Sequence, residues 1–126
     1  MTLTATKRPA VLIVEDEFLL RMNAVEMIKE AGFEVVEAGN ADEAIAILEN
    51  RLDIRVVFTD IQMPGSMDGL KLAAAVRSRW PPIKIIATSA HCSICEGDLP
   101  KGGVFLPKPY TSDRISATLH ELTANA

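Results

Sequence analysis

Three carboxylates follow two apolar runs of the sequence, at positions from which they could act together. Asp60 ends the run Ile54 to Thr59. Glu15 and Asp16 close the run Val11 to Val14. A strand that buries valine and phenylalanine cannot also bury a charge without large cost, so these acids should emerge at the carboxyl ends of their strands. Neighbouring strand ends would crowd them into one pocket, which requires a cation, and oxygen ligands alone favour a hard ion such as Mg²⁺.

The composition limits the class of protein. The 126 residues fit one compact domain, 1–126, with a core over about residues 9–123. The apolar fraction of 48% and the charged fraction of 24% are those of an ordinary globular chain. The net charge is −4 and the 13 basic residues are scattered. This argues against direct nucleic-acid binding, because neutralising phosphates needs clustered Lys and Arg.

The sequence carries no recognisable targeting or membrane segment. No apolar stretch approaches the roughly 20 residues of a membrane span. Lys7 and Arg8 stand near the start, but acids break the apolar run that follows them, which argues against a secretory signal. We therefore expect a cytoplasmic protein without membrane association, and no output domain on this chain.

Short apolar runs alternate with segments of helical period, which is typical of βαβ units around a parallel sheet. The predicted strands are Ala10 to Val14, Glu34 to Glu37, Val56 to Thr59, Ile83 to Ala87 and Val104 to Leu106. The predicted helices run from about Phe18 to Ala31, from Asn40 to Asn50, from Asp68 to Trp80, and from Ser112 or Asp113 to Thr123.

The helix boundaries carry recognisable signals. Gly32 should end the first helix, and Asn40 with Glu43 resembles a capping box at the start of the second. The apolar residues of the first helix stand at mostly helical spacing. We expect them to form its buried face: Leu19, Met22, Val25, Met27 and Ile28.

The segment between Ala90 and Val104 lacks apolar periodicity, so we expect an irregular or shortened helix there. It contains Cys92 and Cys95 in a CxxC pattern, which on spacing alone could be a redox site or half of a metal site. A second CxxC is absent and only His91 stands nearby. We interpret the two cysteines as incidental thiols.

Five short motifs stand in order along the chain, each at the carboxyl end of a predicted strand. They are Val14-Glu15-Asp16-Glu17, then Asp60, then Met63-Pro64-Gly65 with Met67-Asp68-Gly69, then Ser89-Ala90, and finally Lys108-Pro109. Each motif is weak alone. Together they cover nearly the whole chain, and the sequence resembles the receiver domains of two-component response regulators.

The resemblance implies a doubly wound α/β fold of the flavodoxin type, with five parallel strands in the order 2-1-3-4-5. It implies a stand-alone response regulator that accepts a phosphoryl group on Asp60 from a histidine kinase or a histidine phosphotransfer protein. The signal would pass to an unknown downstream protein by contact or by phosphorelay. Mg²⁺ would be the cofactor, with Mn²⁺ as a substitute. Such a protein is a signalling switch with self-catalysed phosphotransfer and slow autodephosphorylation, and not an enzyme.

Phosphoryl transfer needs an in-line nucleophile and neutralisation of the equatorial oxygens. Asp60 can supply the nucleophile, and Lys108 can supply a positive charge. By analogy with the family, Mg²⁺ would be held by Asp16, Asp60 and the backbone carbonyl of Gln62. Glu15 would act through a bound water.

A hydroxyl donor to the phosphoryl group is expected at the end of the fourth strand. Ser89 and Thr88 both qualify. We favour Ser89, because strand alternation places it beyond the strand and because the small Ala90 follows, as in the family. Phe105 stands at the aromatic position that couples to this hydroxyl in receivers, although a plain core phenylalanine explains it equally well.

Three further expectations come from the resemblance. The Lys108–Pro109 bond should be cis, a form open at modest cost to X-Pro bonds alone. Gln62 and His91 stand two residues beyond Asp60 and Ser89, where side chains line the path of attacking water. They should tune the lifetime of the phosphate, in a direction that the sequence does not give.

The chain departs from the family pattern in two places. The loop after Asp60 contains one extra residue, Ser66, which should widen the turn without abolishing the site. The missing regular helix between Ala90 and Val104 belongs, in many receivers, to the activation face. An output through that helix is therefore in doubt.

Two alternative functions can be compared with the sequence. An aspartate-nucleophile phosphatase of the haloacid dehalogenase type would place a second acid two residues after the nucleophile, where this chain has Gln62. A degenerate receiver could act as a constitutive interaction module. The intact set of Asp16, Asp60, Ser89 and Lys108 argues against it.

Overall fold

The computed structural model describes residues 9–62, 68–90, 99–100 and 102–124, in which strands and helices alternate. The strands are β1 (Ala10–Val14), β2 (Glu34–Ala38), β3 (Ile54–Asp60), β4 (Lys84–Ser89) and β5 (Val104–Pro107). The helices are α1 (Phe18–Glu30), α2 (Ala41–Asn50), α3 (Gly69–Arg79) and α4 (Ser112–Thr123).

The five strands form one parallel sheet in the order β2-β1-β3-β4-β5. This confirms the doubly wound α/β fold and the strand order implied by the resemblance. β1 and β3 are neighbours, with Val14 opposite Thr59. The residues that follow these two positions therefore meet at one edge of the sheet.

Four strands, β2 to β5, are longer at their carboxyl ends than predicted, and two of these extensions concern the site. Asp60 is the last residue of β3, and Ser89 is the last residue of β4, so the prediction that Ser89 stands beyond its strand was wrong. Asp60 pairs in register with Thr88. Backbone pairing thus extends to the residues of the site and holds them rigidly.

Alternate residues of the central strand β1 pack on opposite faces of the sheet. Leu12 and Val14 belong to a core that includes residues of α2 and α3, while Val11 and Ile13 belong to one that includes residues of α1 and α4. All five residues of β1 are buried. A sheet covered on both faces explains why its strands appear in the sequence as near-continuous apolar runs.

The helix termini carry the expected signals. The side chain of Asn40 accepts a hydrogen bond from the Glu43 N–H, and Glu43 Oε1 accepts one from the Gly39 N–H. This reciprocal arrangement confirms the start of α2. Gly32 follows α1 with a φ of 102°, in the left-handed region that favours glycine at a helix C-terminus.

The buried face of α1 differs from the prediction. Leu19 is 73% exposed and Met22 is 43% exposed, together with Phe18 at 59%. The buried apolar residues of α1 are Ala24, Val25 and Ile28. The helix therefore presents an apolar surface at its N-terminal end instead of burying it.

Several predicted features lie outside the described residues: His91, Cys92, Cys95 and the loop residues from Met63 to Met67, which include Ser66. Of the connection between β4 and β5, the described residues are Ala90, Leu99, Pro100, Gly102 and Gly103, and none of these five is helical. Among the described residues, none of the helices has the length and apolar character that crossing a membrane requires.

Candidate functional site

The three predicted carboxylates come together at the carboxyl ends of β1 and β3. One carboxylate oxygen each from Glu15, Asp16 and Asp60 can be chosen so that all lie within 4.8 Å of one another. Glu15 and Asp60 are buried, whereas Asp16 is exposed. A cluster of carboxylate oxygens open to solvent on one side fits a hard divalent cation such as Mg²⁺.

Lys108 reaches into this cluster from the residue after β5. Its Nζ lies 3.2 Å from Asp60 Oδ2 and 3.4 Å from Glu15 Oε1. The Lys108 backbone N–H donates to the Ser89 carbonyl, and the Lys108–Pro109 bond is cis, in agreement with the expectation. In the described part of the chain, one ammonium contacts two of the three clustered carboxylates, so the pocket keeps an excess of negative charge.

The environment of Glu15 shows the effect of this excess. Burial is the main cause that raises the pKa of Glu15 above its ordinary value, and the negative charge of Asp60 raises it further. The Glu17 N–H, 3.1 Å from Glu15 Oε2, and the Lys108 ammonium act in the opposite direction. Their opposition is incomplete, so the pKa of Glu15 stays above its ordinary value.

Arg21 supports the loop that carries Glu15 and Asp16. Its Nη1 donates to the Glu15 carbonyl at 2.9 Å, and its Nε donates to Glu37 Oε1 at 3.1 Å. The Arg21 side chain is 20% exposed. It thereby joins the end of β1 to β2 and fixes the backbone from which two of the three acids project. Arg21 is not among the residues predicted for the site.

Gly69, the first residue of α3, makes a close backbone approach to the site. A Cβ at this position would lie 2.1 Å from the Asp60 carbonyl oxygen and 2.7 Å from the Ile61 Cα. The Gly69 N–H donates to the Ile61 carbonyl at 2.9 Å. Any larger residue would displace the backbone of Asp60, so the glycine is required by space.

The two candidate hydroxyls differ in their surroundings. Ser89 Oγ donates to Gln62 Oε1 at 2.6 Å, and the Gln62 backbone N–H donates to Asp60 Oδ1 at 3.3 Å. Thr88 Oγ1 is buried and has no hydrogen-bond partner among the residues that the structure describes. Ser89 is therefore connected to Asp60 through one residue, whereas no such connection joins Thr88 to Asp60 in the described residues.

Comparison with protein families decides what kind of site this is. Residues 11–120 match the family model of the response regulator receiver domain. The chain belongs to this family. Receiver domains are phospho-accepting signalling switches that histidine kinases phosphorylate. The carboxylate cluster, Lys108 and the strand-end hydroxyls of this receiver domain all lie within the matched range.

Relatives and solved structures agree with the assignment. The receiver domain is 34% identical over 89% of its length to the sensor kinase CckA of Brucella abortus. It is 38% identical over 85% of its length to the transcriptional regulatory protein PdtaR of Mycobacterium tuberculosis. The chain spans 12% and 53% of the lengths of these two relatives.

A solved structure, the response regulator protein TrrA of Thermotoga maritima in complex with Mg²⁺-BeF, superposes on this receiver domain with a TM-score of 0.79 at 25% identity. The match covers 90% of this chain and 98% of that chain. The likeness therefore extends over nearly the whole of both chains.

Two aromatic residues of the receiver domain lie close to the site. Phe105 is half-buried and packs against a small apolar cluster that includes Ile61 and Ala87. Tyr110 packs edge-on against Phe58, with ring centroids 5.6 Å apart. Burial, with the added negative charges of Glu15 and Asp60, raises the pKa of Tyr110 to about 12. The phenol therefore stays protonated at neutral pH.

Proposed function

We propose that Asp60 of this receiver domain is the phosphoacceptor, in a reaction that depends on magnesium. The main support is the position of the Asp60 carboxylate, which is only 8% exposed. The Lys108 ammonium contacts its Oδ2, and the Gln62 N–H donates to its Oδ1. A carboxylate held on both sides at the edge of a sheet has a defined orientation for in-line attack. Asp16 stands open to solvent beside it.

In the transfer, the phosphoryl group moves from a histidine nitrogen of the donor to a carboxylate oxygen of Asp60. An Asp60 carboxylate oxygen attacks phosphorus and forms a P–O bond, while the P–N bond to the donor histidine breaks and its electron pair returns to the imidazole. The imidazole nitrogen takes from solvent the proton that the phosphoryl group had replaced. In the separate hydrolysis step, water attacks phosphorus, the P–O bond to Asp60 breaks, and the Asp60 carboxylate is restored with release of inorganic phosphate.

The residues present fit a divalent cation. Asp16, Asp60 and the backbone carbonyl of Gln62 would hold it, with Glu15 acting through a bound water. When bound, Mg²⁺ neutralises charge on the phosphoryl oxygens. Lys108 Nζ, already beside Asp60, would donate to a second phosphoryl oxygen, and the Ser89 hydroxyl to a third. The Mg²⁺-BeF complex of TrrA supports Mg²⁺ as the cofactor, and Mn²⁺ should replace it.

A protein donor is supported by the surface next to the site. Phe18, Leu19 and Met22 are exposed on the N-terminal part of α1, which follows Glu15 and Asp16 directly. Exposed apolar side chains that lie together favour contact with another protein. We therefore expect the phosphoryl group to come from a histidine kinase or a phosphotransfer protein, and the phosphorylated form to act on a downstream protein by contact or by phosphorelay. Phe105 would change position with Ser89.

The direct test is phosphorylation by acetyl phosphate in the presence of magnesium, followed by mass spectrometry. We expect one acid-labile phosphate on Asp60, no label after Asp60→Asn, and strong loss of label when magnesium is chelated. Asp113→Asn, which removes an exposed acid from α4, is the matched control and should label like the wild type. An unlabelled wild type, or label that survives in Asp60→Asn, would refute the proposal.

A second experiment separates the site from the donor surface. Leu19→Ser should leave labelling by acetyl phosphate unchanged, because the small donor touches only the pocket. Labelling by a phosphorylated histidine protein should fall. Leu52→Ser is the control, since Leu52 is also exposed but lies at the amino end of β3. Equal loss with both donors would mean that Leu19 acts on the site itself and not through partner contact.

A further inference from the structure

Gln62 makes two hydrogen bonds that connect the two residues expected to contact the phosphoryl group. Its backbone N–H donates to Asp60 Oδ1, and its side-chain Oε1 accepts from Ser89 Oγ at 2.6 Å. Ser89 is 1% exposed. The Gln62 side chain, in contrast, is exposed to solvent. A buried hydroxyl is thus held by a solvent-exposed carboxamide.

The hydroxyl of a serine carries a single proton, so it can donate one good hydrogen bond at a time. In this structure the Ser89 hydroxyl donates to Gln62 Oε1. The same proton is the one that Ser89 would donate to a phosphoryl oxygen on Asp60. The two acceptors therefore compete for one donor.

We propose that the Gln62 side chain is a competing acceptor that holds the Ser89 hydroxyl in the unphosphorylated state and thereby opposes the switch. The inference rests on the proposed function of Asp60, because it concerns what happens when a phosphoryl group arrives there. It assigns Gln62 a role as a positioning residue for Ser89, which differs from an effect on attacking water.

Gln62 is exposed and Ser89 is buried, so the two partners are affected differently when their hydrogen bond breaks. When Ser89 turns to the phosphoryl group, the released Gln62 carboxamide faces water and regains hydrogen bonds there. Ser89 exchanges one acceptor for another inside the protein. The free energy lost is therefore the net worth of the Ser89–Gln62 hydrogen bond, and every phosphorylation event must overcome it.

A double-substitution cycle tests this. The dissociation constant of beryllofluoride, an acyl-phosphate mimic on carboxylates, is measured by calorimetry at saturating Mg²⁺ for the wild type, Gln62→Met, Ser89→Ala and the double variant. Methionine matches glutamine in length and lacks the carbonyl acceptor. With Ser89 present, Gln62→Met should tighten binding about threefold to tenfold, the worth of one net hydrogen bond. With Ser89→Ala, the same change should leave binding unaltered.

The outcomes are separable. Tighter binding that requires Ser89 supports the competing-acceptor role, since a merely structural effect of Gln62 would not depend on the Ser89 hydroxyl. Equal effects in both backgrounds, no effect, or weaker binding in Gln62→Met would overturn it. A wild type that binds no beryllofluoride, or an Asp60→Asn variant that still binds it, would instead refute the proposed function. Gln62→Leu gives a second acceptor-free side chain, and thermal unfolding confirms that each variant is folded.

Discussion

Charged side chains are paired and buried differently at the two ends of the sheet. At the amino ends of the strands, two arginines each pair with one acid: Arg51 pairs with Asp53 at 2.5 Å, and Arg79 pairs with Glu49 at 2.7 Å. At the carboxyl ends, Lys108 is the one cation that pairs with Glu15 and Asp60 in the described part of the chain, and those two acids are nearly buried. The two amino-end pairs are matched and partly or fully exposed, while the carboxyl-end cluster is largely buried and carries excess negative charge.

This difference distinguishes ion pairs on the surface from the buried charges of the candidate site. Exposed pairs contribute little to stability, because water screens the attraction and the side chains lose freedom. Buried like charges raise the free energy of the folded state and persist only where another requirement maintains them. The imbalance at the carboxyl end is thus what marks the site, more than the presence of any one acid.

The largest effect should come from the backbone contact at the carboxyl end. Gly69→Ala would place a Cβ 2.1 Å from the Asp60 carbonyl oxygen, which forces the end of β3 to move. We expect a loss of about 3 kcal/mol in the free energy of unfolding, at the upper end for overpacking. Labelling by acetyl phosphate should fall with it.

Gly39→Ala is the matched control for Gly69→Ala. A Cβ there would make only ordinary contacts of 3.5 Å, to Arg21 and Glu43 side chains. Urea unfolding measures stability in both variants. Comparable stability of Gly69→Ala and the wild type would show that the close approach to Asp60 is not a constraint.

Removing one cation from each end compares the ends directly. Lys108→Met leaves Glu15 and Asp60 without their ammonium partner, so the free energy of unfolding in magnesium-free buffer should fall by about 1–3 kcal/mol. Arg79→Met removes an exposed partner of Glu49 and should cost less than about 1 kcal/mol. Added Mg²⁺ should recover part of the loss in Lys108→Met and none in Arg79→Met. Equal losses would erase the distinction between the two ends.

Glu15→Gln removes a charge from the crowded end and should stabilise the protein without magnesium. The raised pKa of Glu15 means that the folded state holds its proton more firmly than the unfolded state. Its contribution to stability is therefore complete below pH 4.5 and declines as the pH rises through the raised pKa. The variant should match the wild type in acid and gain on the order of 1 kcal/mol near neutral pH.

Unfolding of Glu15→Gln and the wild type at several pH values tests this sign, and a gain that shrinks as the pH rises would contradict it. Magnesium affinity provides an independent readout. It should fall in the variant, because Glu15 can no longer hold a bound water with a full charge.

The smallest expected effect concerns Tyr110, the only tyrosine of the chain. Its ionisation can be followed by ultraviolet absorbance without interference from another phenol. The midpoint should lie at about pH 12 in the wild type. Asp60→Asn should lower it modestly, because burial is the main cause of the shift and the carboxylates contribute the rest. An unchanged midpoint would mean that the negative charge of Asp60 does not reach the phenol.

Local pattern was sufficient to predict the strands and the acids, while the order of the strands came from the family resemblance. Apolar runs mark strands buried on both faces, and a charge that ends such a run must leave the core, which located Glu15, Asp16 and Asp60. Caps such as Asn40 act within a few residues and were predicted for the same reason. The strand ends were less certain, because pairing in the sheet extends β3 and β4 into the polar site residues.

The errors in α1 have a geometric cause. The inward stripe of this helix is Arg21, Ala24, Val25 and Ile28, at spacings of three, four and seven residues. Leu19 lies on the opposite side of the helix from this stripe. The predicted face left out Arg21 and included Leu19 and Met22, which shifted it around the helix. Its place on the stripe was the one signal in the sequence that could have revealed its support of Glu15.

Other features depend on contacts that no local pattern contains. Gly69 resembles an ordinary turn glycine in the sequence, yet its requirement comes from the approach of α3 to the end of β3. The bond between Ser89 and Gln62 joins residues 27 positions apart, and side-chain identity alone does not predict it.

The hydrogen bond from the Gly69 N–H to the Ile61 carbonyl joins two residues between which the chain can be lengthened. It fixes the two ends of the segment 62–68 to each other, directly beside Asp60. The placement of Asp60 should then depend little on the number of residues between those ends, because lengthening a closed loop costs little, about 0.6 kcal/mol per doubling. We therefore expect an inserted residue such as Ser66 to be tolerated. For protein engineering, the same segment offers a place to insert a reporter peptide close to Asp60.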